Sequence, residues 1–464
     1  MVFICYLCVV DWFYIQILGE FNLVTSIEKR YIEEHKKCQE NYSLSKSLFP
    51  NGVTHDSRNL EPFPYYVDKA SGAYKWDIDG QRIIDYRGGH GALILGHSHP
   101  VVNQAVSDQL DIGTHYAAST DLEIRWANLV KELIPCFDKI RFTSSGTEAT
   151  LMAFRMVRAY SGKTKIIKFK NHFHGWHDYV RSHTQGTGGI PQEVMDTMIT
   201  LPHNDISVVE DTLRNSDDVA AIIIEPTGAH MGTDPVNPHF LKQLRDITNR
   251  YGVVLIFDEV VTGFRISKGG AQSYFDITPD VCTLAKILGG GLPAGAVTGK
   301  SEIIDMIQLS NSSDYNRVER VGHNGTFNAN PLSAAAGCAA LELVSSSPVN
   351  EIADKRSQQL KNGLNDILSK LEIPGCASGI ASAVFLRLGV EHECDKAICI
   401  LSEDEQNKIE DPFLSHQMWL EMYNQGIDAG TRFIVNSVLS ESDINQTIEA
   451  SEKALRNIRQ EGII

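Results

Sequence analysis

The chain is short of positive charge for its length. Its 464 residues carry 42 Lys and Arg against 58 Asp and Glu, giving a formal net charge of −16. Such a balance repels a phosphate backbone, and no long Lys/Arg-rich run offsets it, so we expect no nucleic-acid partner. A small acidic ligand would need a local basic pocket.

Cysteine is also scarce. The nine cysteines are an odd number scattered through a long chain, a usage typical of reduced thiols in a cytoplasmic protein and not of a disulfide framework. Cys5 and Cys8 form one Cys-x-x-Cys pair, but no second pair completes a zinc site, so we interpret it as coincidence. We therefore predict a cytoplasmic location.

The apolar N-terminal stretch lacks the features of a targeting or membrane segment. No Lys or Arg precedes the apolar run in residues 1–21, and Asp11 interrupts it. It makes a poor signal peptide and is too short and broken for a membrane span. We predict an extension outside the fold and no membrane association. The rest of the chain, beginning with helical spacing over residues 26–45, has the composition of a globular protein large enough for two domains.

Short buried runs alternate with helical stretches through the middle of the chain. The helical patterns include residues 148–160 and 238–250. The apolar runs span 165–169, 220–224, 253–257 and 281–284. Such alternation indicates a largely parallel sheet covered by helices on both faces, whose ligands bind at the carboxyl ends of the strands. Glu225 and Asp258 emerge at those ends.

The stretch 283–295 sets one lysine, Lys286, against a run of glycines. Such a lysine is a candidate Schiff-base nucleophile, although a solvated lysine beside a flexible turn is the plainer interpretation. Its context favours the nucleophile. Asp258 supplies a carboxylate, and the hydroxyl- and glycine-rich turn 143–149 runs into a helix and suits a phosphate. Lysine, acid and phosphate cradle together predict a pyridoxal 5'-phosphate site.

These stretches together resemble the class III aminotransferases, a family of fold-type I pyridoxal-phosphate enzymes, and most closely their glutamate-1-semialdehyde 2,1-aminomutase branch. Residues 255–265, then 269–272, Lys286 and Gly291 carry the resemblance. It implies an α/β fold with a large domain, built on a mainly parallel seven-stranded sheet flanked by helices, and a smaller α+β domain. The implied division is an extension (1–25), an N-terminal segment of the small domain (26–85), the large cofactor-binding domain (86–335) and the C-terminal small domain (336–464).

The resemblance also implies roles for individual residues. Lys286 would hold the cofactor as a Schiff base and move a proton between substrate and cofactor, and Asp258 would keep the pyridine nitrogen protonated. Phe173 would stack on the pyridine ring. The phosphate would be bound by Ser145, Gly146 and Thr147, and completed by Thr326 from the neighbouring subunit. The implied enzyme is thus a homodimer with shared active sites.

Three further positions match the family less firmly. Glu225 resembles the cofactor-side acid, but it could equally be a buried acid satisfied by neighbouring N–H groups. His230 stands where the family usually has an asparagine near the cofactor's phenolic oxygen. Arg58 is at the position that receives the substrate carboxylate in the aminomutase branch.

A metal site is the rival interpretation of one histidine-rich stretch. His172, His174 and His177 could be metal ligands, but no carboxylate stands at a supporting spacing. We therefore expect no metal.

Two departures from the aminomutase pattern decide the predicted activity. Residues 426–436 lack the glutamate that the branch carries, and the glycine-rich loop 181–191 differs from its gate. We therefore predict a ping-pong transaminase that moves an amino group between a carboxylate-bearing amine or amino acid and a keto acid. The alternatives are the aminomutase itself and a non-catalytic cofactor-binding regulator. A nicotinamide dehydrogenase would need a Gly-x-Gly-x-x-Gly turn, which neither 89–91 nor 289–291 completes.

Overall fold

The computed structural model describes residues 24–464 except 183, 185, 392–396 and 410. The predicted extension, apart from its last two residues, and the Cys5/Cys8 pair lie outside the described residues. Across the described part of the chain, no single helix is long and apolar enough to cross a membrane. Among the described residues, one bent pair, Pro331–Ser346 and Val349–Leu371, has the length and composition of a span, but Pro331–Ser346 is largely buried, as a core helix is.

The helices and strands are numbered in chain order, without the shortest turns. The helices are α1 (Ser26–Glu34), α2 (Lys36–Ser45), α3 (Pro100–Ile112), α4 (Asp121–Leu133), α5 (Gly146–Ser161), α6 (Ile206–Arg214), α7 (Pro238–Tyr251), α8 (Gly270–Phe275), α9 (Pro331–Ser346), α10 (Val349–Leu371), α11 (Glu403–Ile409), α12 (Pro412–Asn424) and α13 (Glu441–Gln460). The strands are β1 (Val67–Ser71), β2 (Tyr74–Asp77), β3 (Arg82–Asp85), β4 (Lys139–Thr143), β5 (Lys165–Phe169), β6 (Met198–Leu201), β7 (Val219–Ile224), β8 (Val254–Glu259), β9 (Val281–Ala285), β10 (Gly295–Gly299), β11 (Gly375–Ser378), β12 (Ala383–Leu388), β13 (Ile427–Asp428) and β14 (Arg432–Ile434).

One compact unit comprises residues 89–94 and 100–351. Its seven-stranded sheet has the order β4-β10-β9-β8-β7-β5-β6, in which only β10 pairs antiparallel with its neighbours. The central strands β7, β8 and β9 are buried along their whole length, because helices cover both faces of a parallel sheet. The α/β fold class and the mainly parallel seven-stranded sheet predicted from the sequence are confirmed.

The other unit comprises the described residues up to Gly88, residues 95–99 and residues 352–464. It holds a four-stranded sheet, β1-β2-β3-β13, and a three-stranded sheet, β11-β12-β14. Buried side chains of α1, α10, α12 and α13 form its core together with those of the strands. The domain limits inferred from the sequence, at 85/86 and 335/336, stay a prediction.

The helical pattern over residues 26–45 is broken in the structure. His35 leaves helical geometry, with φ −124° and ψ 49°, and separates α1 from α2. Its imidazole is buried, and its Nδ1 donates to the Tyr31 carbonyl at 2.9 Å. The predicted continuous helix is therefore interrupted at this one residue, whose polar ring is buried.

Candidate active site

The carboxyl edge of the parallel strands gathers most of the predicted site. Glu225 follows β7, Asp258 lies near the end of β8, and Lys286 follows β9. These three strands are neighbours in the sheet. Residues 144–147, which link β4 to α5, complete this edge. Side chains far apart in sequence meet here because parallel strands end at one side of the sheet.

Asp258 is held in place by three donors. Its carboxylate is 4% exposed, and Oδ2 lies 2.7 Å from His174 Nδ1. Oδ1 accepts from the Thr283 hydroxyl at 3.2 Å and from the Val260 N–H at 3.1 Å. Thr283 stands opposite Asp258 in the β8–β9 pairing. A buried carboxylate needs such donors, and together they fix its orientation.

Lys286 occupies a backbone conformation that non-glycine residues seldom adopt. Its φ is 52°, in the left-handed region, at the first residue of a tight turn after β9. Such a conformation costs of order 1 to 3 kcal/mol, and it persists where surrounding structure imposes it. The turn ends at Gly290, which is also left-handed. The strained backbone at Lys286 costs local stability. We infer that this conformation is kept because it directs the lysine side chain.

The start of α5 forms an anion cradle. Ser145 is the N-cap, and its Oγ accepts the Glu148 N–H at 3.2 Å. The N–H groups of the first turn have no partner within a helix, so those of Gly146 and Thr147 are offered to a ligand. A Cβ on Gly146 would lie 2.9 Å from the Val260 side chain. Only glycine therefore lets the helix start this close to the end of β8.

Glu225 organises the residues around Phe173. Its Oε1 accepts the Phe173 N–H at 2.7 Å, and its Oε2 accepts the His230 N–H at 2.9 Å. The Phe173 ring packs on the His230 ring with 5.7 Å between centroids, and 47% of Phe173 is exposed. Burial, together with the charge of Asp258, raises the pKa of Glu225 to about 8, while the charge of Lys286 acts to lower it. A pKa raised in this way favours the protonated carboxyl group at neutral pH.

The three histidines considered as metal ligands have separate partners. His174 binds Asp258, His172 Nδ1 accepts the Glu225 N–H at 3.0 Å, and His177 Nε2 lies 3.2 Å from the Thr150 hydroxyl. Burial, with the neighbouring imidazole of His174, lowers the pKa values of both His172 and His177, the latter to about 3. The lowered pKa values favour the neutral form of His172 and His177, and all three imidazoles make hydrogen bonds within this site.

Two predicted residues make contacts with residues outside this set. Thr326 is exposed, and its carbonyl accepts from His115 Nε2 at 2.5 Å. Arg58 belongs to the other compact unit, where its exposed side chain donates to Thr54 Oγ1 at 2.9 Å. Their roles stay predictions.

The stretch 426–436, where the aminomutase glutamate is missing, carries a different acid. Asp428 is fully buried and accepts from Tyr65 at 2.6 Å and from Arg87 Nε at 2.9 Å, and it also pairs with Lys75. Burial alone would raise the pKa of Asp428, but the two cations hold it well below its usual range. The negative charge of Asp428 is therefore balanced by Lys75 and Arg87 within its own unit.

Sequence reasoning missed the supports of Asp258. His174 entered only as a possible metal ligand, and Thr283 was not singled out. The sequence does contain a feature that could have pointed to each residue. His174 follows the candidate stacking residue Phe173, and Thr283 is the one hydroxyl in an apolar strand. Neither signal names its partner, because the contact is long-range.

The residues present fit pyridoxal phosphate. The cradle at α5 is tightened by Gly175, whose φ is 105° and where a Cβ would lie 2.6 Å from Thr147 Oγ1. An anion site, a buried oriented carboxylate and a lysine stand at one sheet edge. This donor set matches a phosphate, a protonated pyridine nitrogen and an aldehyde carbon.

Comparison with known proteins agrees with this geometry. The chain is 38% identical to the glutamate-1-semialdehyde 2,1-aminomutase of Sulfurisphaera tokodaii, over 89% of this chain and 97% of that protein. The crystal structure of an omega-transaminase from Sphaerobacter thermophilus superposes with a TM-score of 0.83 at 32% identity, covering 91% of this chain and 98% of that one.

The family and the cofactor follow from two further matches. A transaminase solved with pyridoxal phosphate bound superposes with a TM-score of 0.82 at 26% identity, covering 93% of this chain and 99% of that one. The family model for Aminotransferase class-III matches residues 55–380. The cofactor is pyridoxal 5'-phosphate, and the chain belongs to the class III aminotransferases.

Proposed function

We propose that this enzyme is a glutamate-1-semialdehyde 2,1-aminomutase, which moves an amino group between adjacent carbons of one substrate to give 5-aminolevulinate. The carrying observation is the 38% identity to a protein of that name along 97% of its length. A match over the full length covers both domains and not the cofactor site alone. This proposal replaces the separate-acceptor transaminase favoured by the two departures from the branch.

The proposed chemistry assigns one task to each residue of the sheet edge. Pyridoxal phosphate, when bound, would supply a sink for the electrons left behind by a departing proton. Lys286 would accept that proton on Nζ and move it between the substrate carbon and the cofactor. Asp258, fixed by His174 and Thr283, provides the negative charge that keeps a ring nitrogen protonated. The start of α5 binds phosphate.

Arg58 is proposed to receive the substrate carboxylate. A guanidinium forms paired, charge-assisted hydrogen bonds with a carboxylate and thereby orients it. The chain as a whole carries a formal charge of −16. A local cation is therefore needed to bind an anionic substrate.

A homodimer is proposed for the active enzyme. The segments around Tyr116 and Phe327 are joined by the contact of His115 with Phe327, whose rings lie 5.4 Å apart. Tyr116 is 44% exposed and Phe327 59%, and Ile112 and Leu110 lie exposed nearby in the sequence. Exposed apolar side chains grouped in this way are typical of a subunit interface.

A transaminase with a separate keto-acid acceptor is the second candidate. It is favoured by the absence of a glutamate from residues 426–436 and by the pairing of Asp428, the acid in that stretch, with Lys75 and Arg87. Retention of an intermediate for a second half-reaction would then lack a carboxylate. The omega-transaminase likeness at 32% identity points the same way.

One experiment separates the two candidates. Purified enzyme is given glutamate 1-semialdehyde with no keto acid, and 5-aminolevulinate is measured over many turnovers. The aminomutase sustains conversion without any acceptor, while a Lys286→Ala control forms no product. Conversion that halts after a single turnover and resumes on adding pyruvate or 2-oxoglutarate would refute the aminomutase proposal.

A further inference from the structure

We propose that the compact unit containing residues 24–88 holds a divalent transition-metal site, best suited to Zn²⁺. Its ligands are His35 Nε2, Cys38 Sγ and the carboxylates of Asp77 and Asp79. The site joins the α1–α2 break to the β2–β3 hairpin. The proposed site departs from the expectation of no metal, which is drawn from the sequence around His172, His174 and His177.

The first argument is an unsatisfied pair of buried atoms. His35 is 1% exposed and Asp77 is 2% exposed. Within the described residues, neither His35 Nε2 nor Asp77 Oδ2 has a hydrogen-bond partner, and the two atoms face each other at 3.3 Å. His35 Nδ1 donates to the Tyr31 carbonyl at 2.9 Å, so Nε2 faces the carboxylate either as a lone pair or, in a protonated ring, as the cationic partner of an ion pair. A shared metal cation would take the place of that proton and bind both atoms.

The second argument is the convergence of two more ligand atoms. The ligand atoms of Cys38, Asp77 and Asp79 all lie within 4.8 Å of one another. In a tetrahedral zinc site, ligand distances of about 2.0–2.3 Å place neighbouring ligand atoms roughly 3.4–3.6 Å apart. The His35–Asp77 separation of 3.3 Å is close to that spacing. Ligand atoms of Cys38, Asp77 and Asp79 at the 4.8 Å limit would need to close by about an ångström to reach it, a change that side-chain rotation can supply.

The surroundings support these side chains as ligands. Asp77 Oδ1 accepts the Gln81 N–H at 2.8 Å. Asp79 accepts the N–H groups of Lys37 and Cys38 at 2.8 and 3.0 Å. The Asp79 carboxylate of the hairpin thus caps α2. The second ring nitrogen of His35, Nδ1, donates a hydrogen bond to the Tyr31 carbonyl. Outer contacts of this kind orient the ligands of protein metal sites.

Enclosure suits a structural metal. The Tyr66 N–H donates to Cys38 Sγ at 3.3 Å, and the rings of Tyr31 and Tyr423 pack on His35 at 4.5 and 5.3 Å. Lys37 Nζ turns to the Ile78 carbonyl at 3.2 Å. Binding would replace the S–H bond of Cys38 by a metal–sulfur bond and release the proton to solvent, with no change of oxidation state.

The test uses the full-length, cofactor-loaded enzyme. The protein is dialysed against a chelator and titrated with Zn²⁺ alone, with elemental analysis for stoichiometry and proton release followed in weak buffer. We expect one Zn²⁺ per chain. Zinc-edge X-ray absorption should show one sulfur neighbour among nitrogen and oxygen neighbours, a signal that the cofactor does not disturb.

Variants decide whether this cluster is the site. Cys38→Ser should remove the sulfur neighbour and weaken Zn²⁺ by more than the roughly 10- to 100-fold that loss of an outer-shell partner costs. Cys338→Ser, at another buried cysteine, is the matched control and should change neither. In Asp79→Asn the side-chain carbonyl oxygen can still accept an N–H group from the start of α2, and the position is partly exposed. This variant should therefore fold but bind Zn²⁺ more weakly.

Three outcomes would overturn the proposal. They are binding below one Zn²⁺ per chain, a bound metal without a sulfur neighbour, and Zn²⁺ affinity unchanged by Asp79→Asn. The first would leave His35 and Asp77 as an imidazolium–carboxylate ion pair. The other two would place any bound metal elsewhere.

Discussion

His174 Nδ1 lies 2.7 Å from Asp258 Oδ2, although the two residues are 84 positions apart in the chain. Both side chains are buried. Because the carboxylate can only accept, the imidazole carries its proton on Nδ1. In the proposed mechanism His174 would be a positioning residue, because it would act on the cofactor through the orientation and charge of Asp258.

This relationship predicts graded effects for two substitutions. Asp258→Asn should still bind cofactor but raise the activation barrier by at least ~3 kcal/mol, because the electrostatic partner of the ring nitrogen is lost. His174→Ala should cost less, about 1–3 kcal/mol for one lost donor to a charged group. It should also shift the pH dependence of the cofactor's visible absorption.

A second histidine–aspartate pair supplies the control. His203 Nε2 lies 3.0 Å from Asp234, so His203→Ala removes a contact of the same kind that does not involve Asp258. Steady-state kinetics and spectral titration of the three variants distinguish the roles. Equal losses for His174→Ala and His203→Ala, with unshifted spectra, would show that His174 serves packing alone.

The sequence could predict the frame of this site more readily than its supports. The strand predicted at residues 165–169 matches β5 residue for residue, because its apolar residues are buried even though Lys165 and Lys168 interrupt the run. The carboxyl-end positions of Glu225 and Asp258 follow from the same pattern. The Asp258–His174 pair does not, since local periodicity carries no information on which loop folds over which strand. His35 shows the same limit, because its burial depends on a hairpin some 40 residues away.

Glu225 should make stability fall as pH rises. Burial, with the charge of Asp258, raises its pKa from 4.5 to about 8, so the folded state holds the proton more tightly than the unfolded state. The stabilisation is fully present below pH 4.5 and is lost as pH rises towards 8. The change is on the order of a few kcal/mol.

The measurement is denaturant unfolding of cofactor-free protein across that range. Glu225→Gln, which cannot ionise, should lose less stability between pH 5 and 8 than the natural chain. The difference between the two curves isolates this group from other titrating residues. Parallel curves would mean that Glu225 is ionised in the folded protein.

Arg58→Ala should weaken substrate binding and leave the cofactor site intact. Loss of a hydrogen bond to a charged group costs about 1.5–3 kcal/mol. We expect KM to rise accordingly, with an unchanged cofactor spectrum. Arg82→Ala, at another exposed arginine of the same unit, is the control. An unchanged KM in Arg58→Ala would exclude Arg58 from carboxylate binding.

Borohydride reduction should fix the cofactor covalently to Lys286. The strained φ of 52° and the position beyond β9 distinguish this lysine from the others near the sheet. Lys168 is the internal comparison, because burial, with the charge of Arg181, lowers its pKa to about 8 and makes it a competing amine. Peptide mapping should place the label on Lys286 and leave Lys168 unlabelled. A label on Lys168 would refute the assignment.

Thr326 should act across the subunit interface. Its side chain is exposed, and its carbonyl is engaged by His115. If Thr326 completes the phosphate site of a second subunit, Lys286→Ala and Thr326→Val homodimers should both have low activity. Mixing them allows hybrids in which one site takes both intact residues, while the other site carries both defects. With random exchange, half of the dimers are hybrids, and activity should recover towards about a quarter of that of the natural enzyme, the share set by one intact site per hybrid dimer.

A Lys286→Ala and Asp258→Asn mixture is the control, because these residues lie in the same chain's site and no hybrid restores it. Subunit exchange is verified with differently tagged chains. Exchange without recovery in the Lys286→Ala and Thr326→Val mixture would show that each chain builds its site alone.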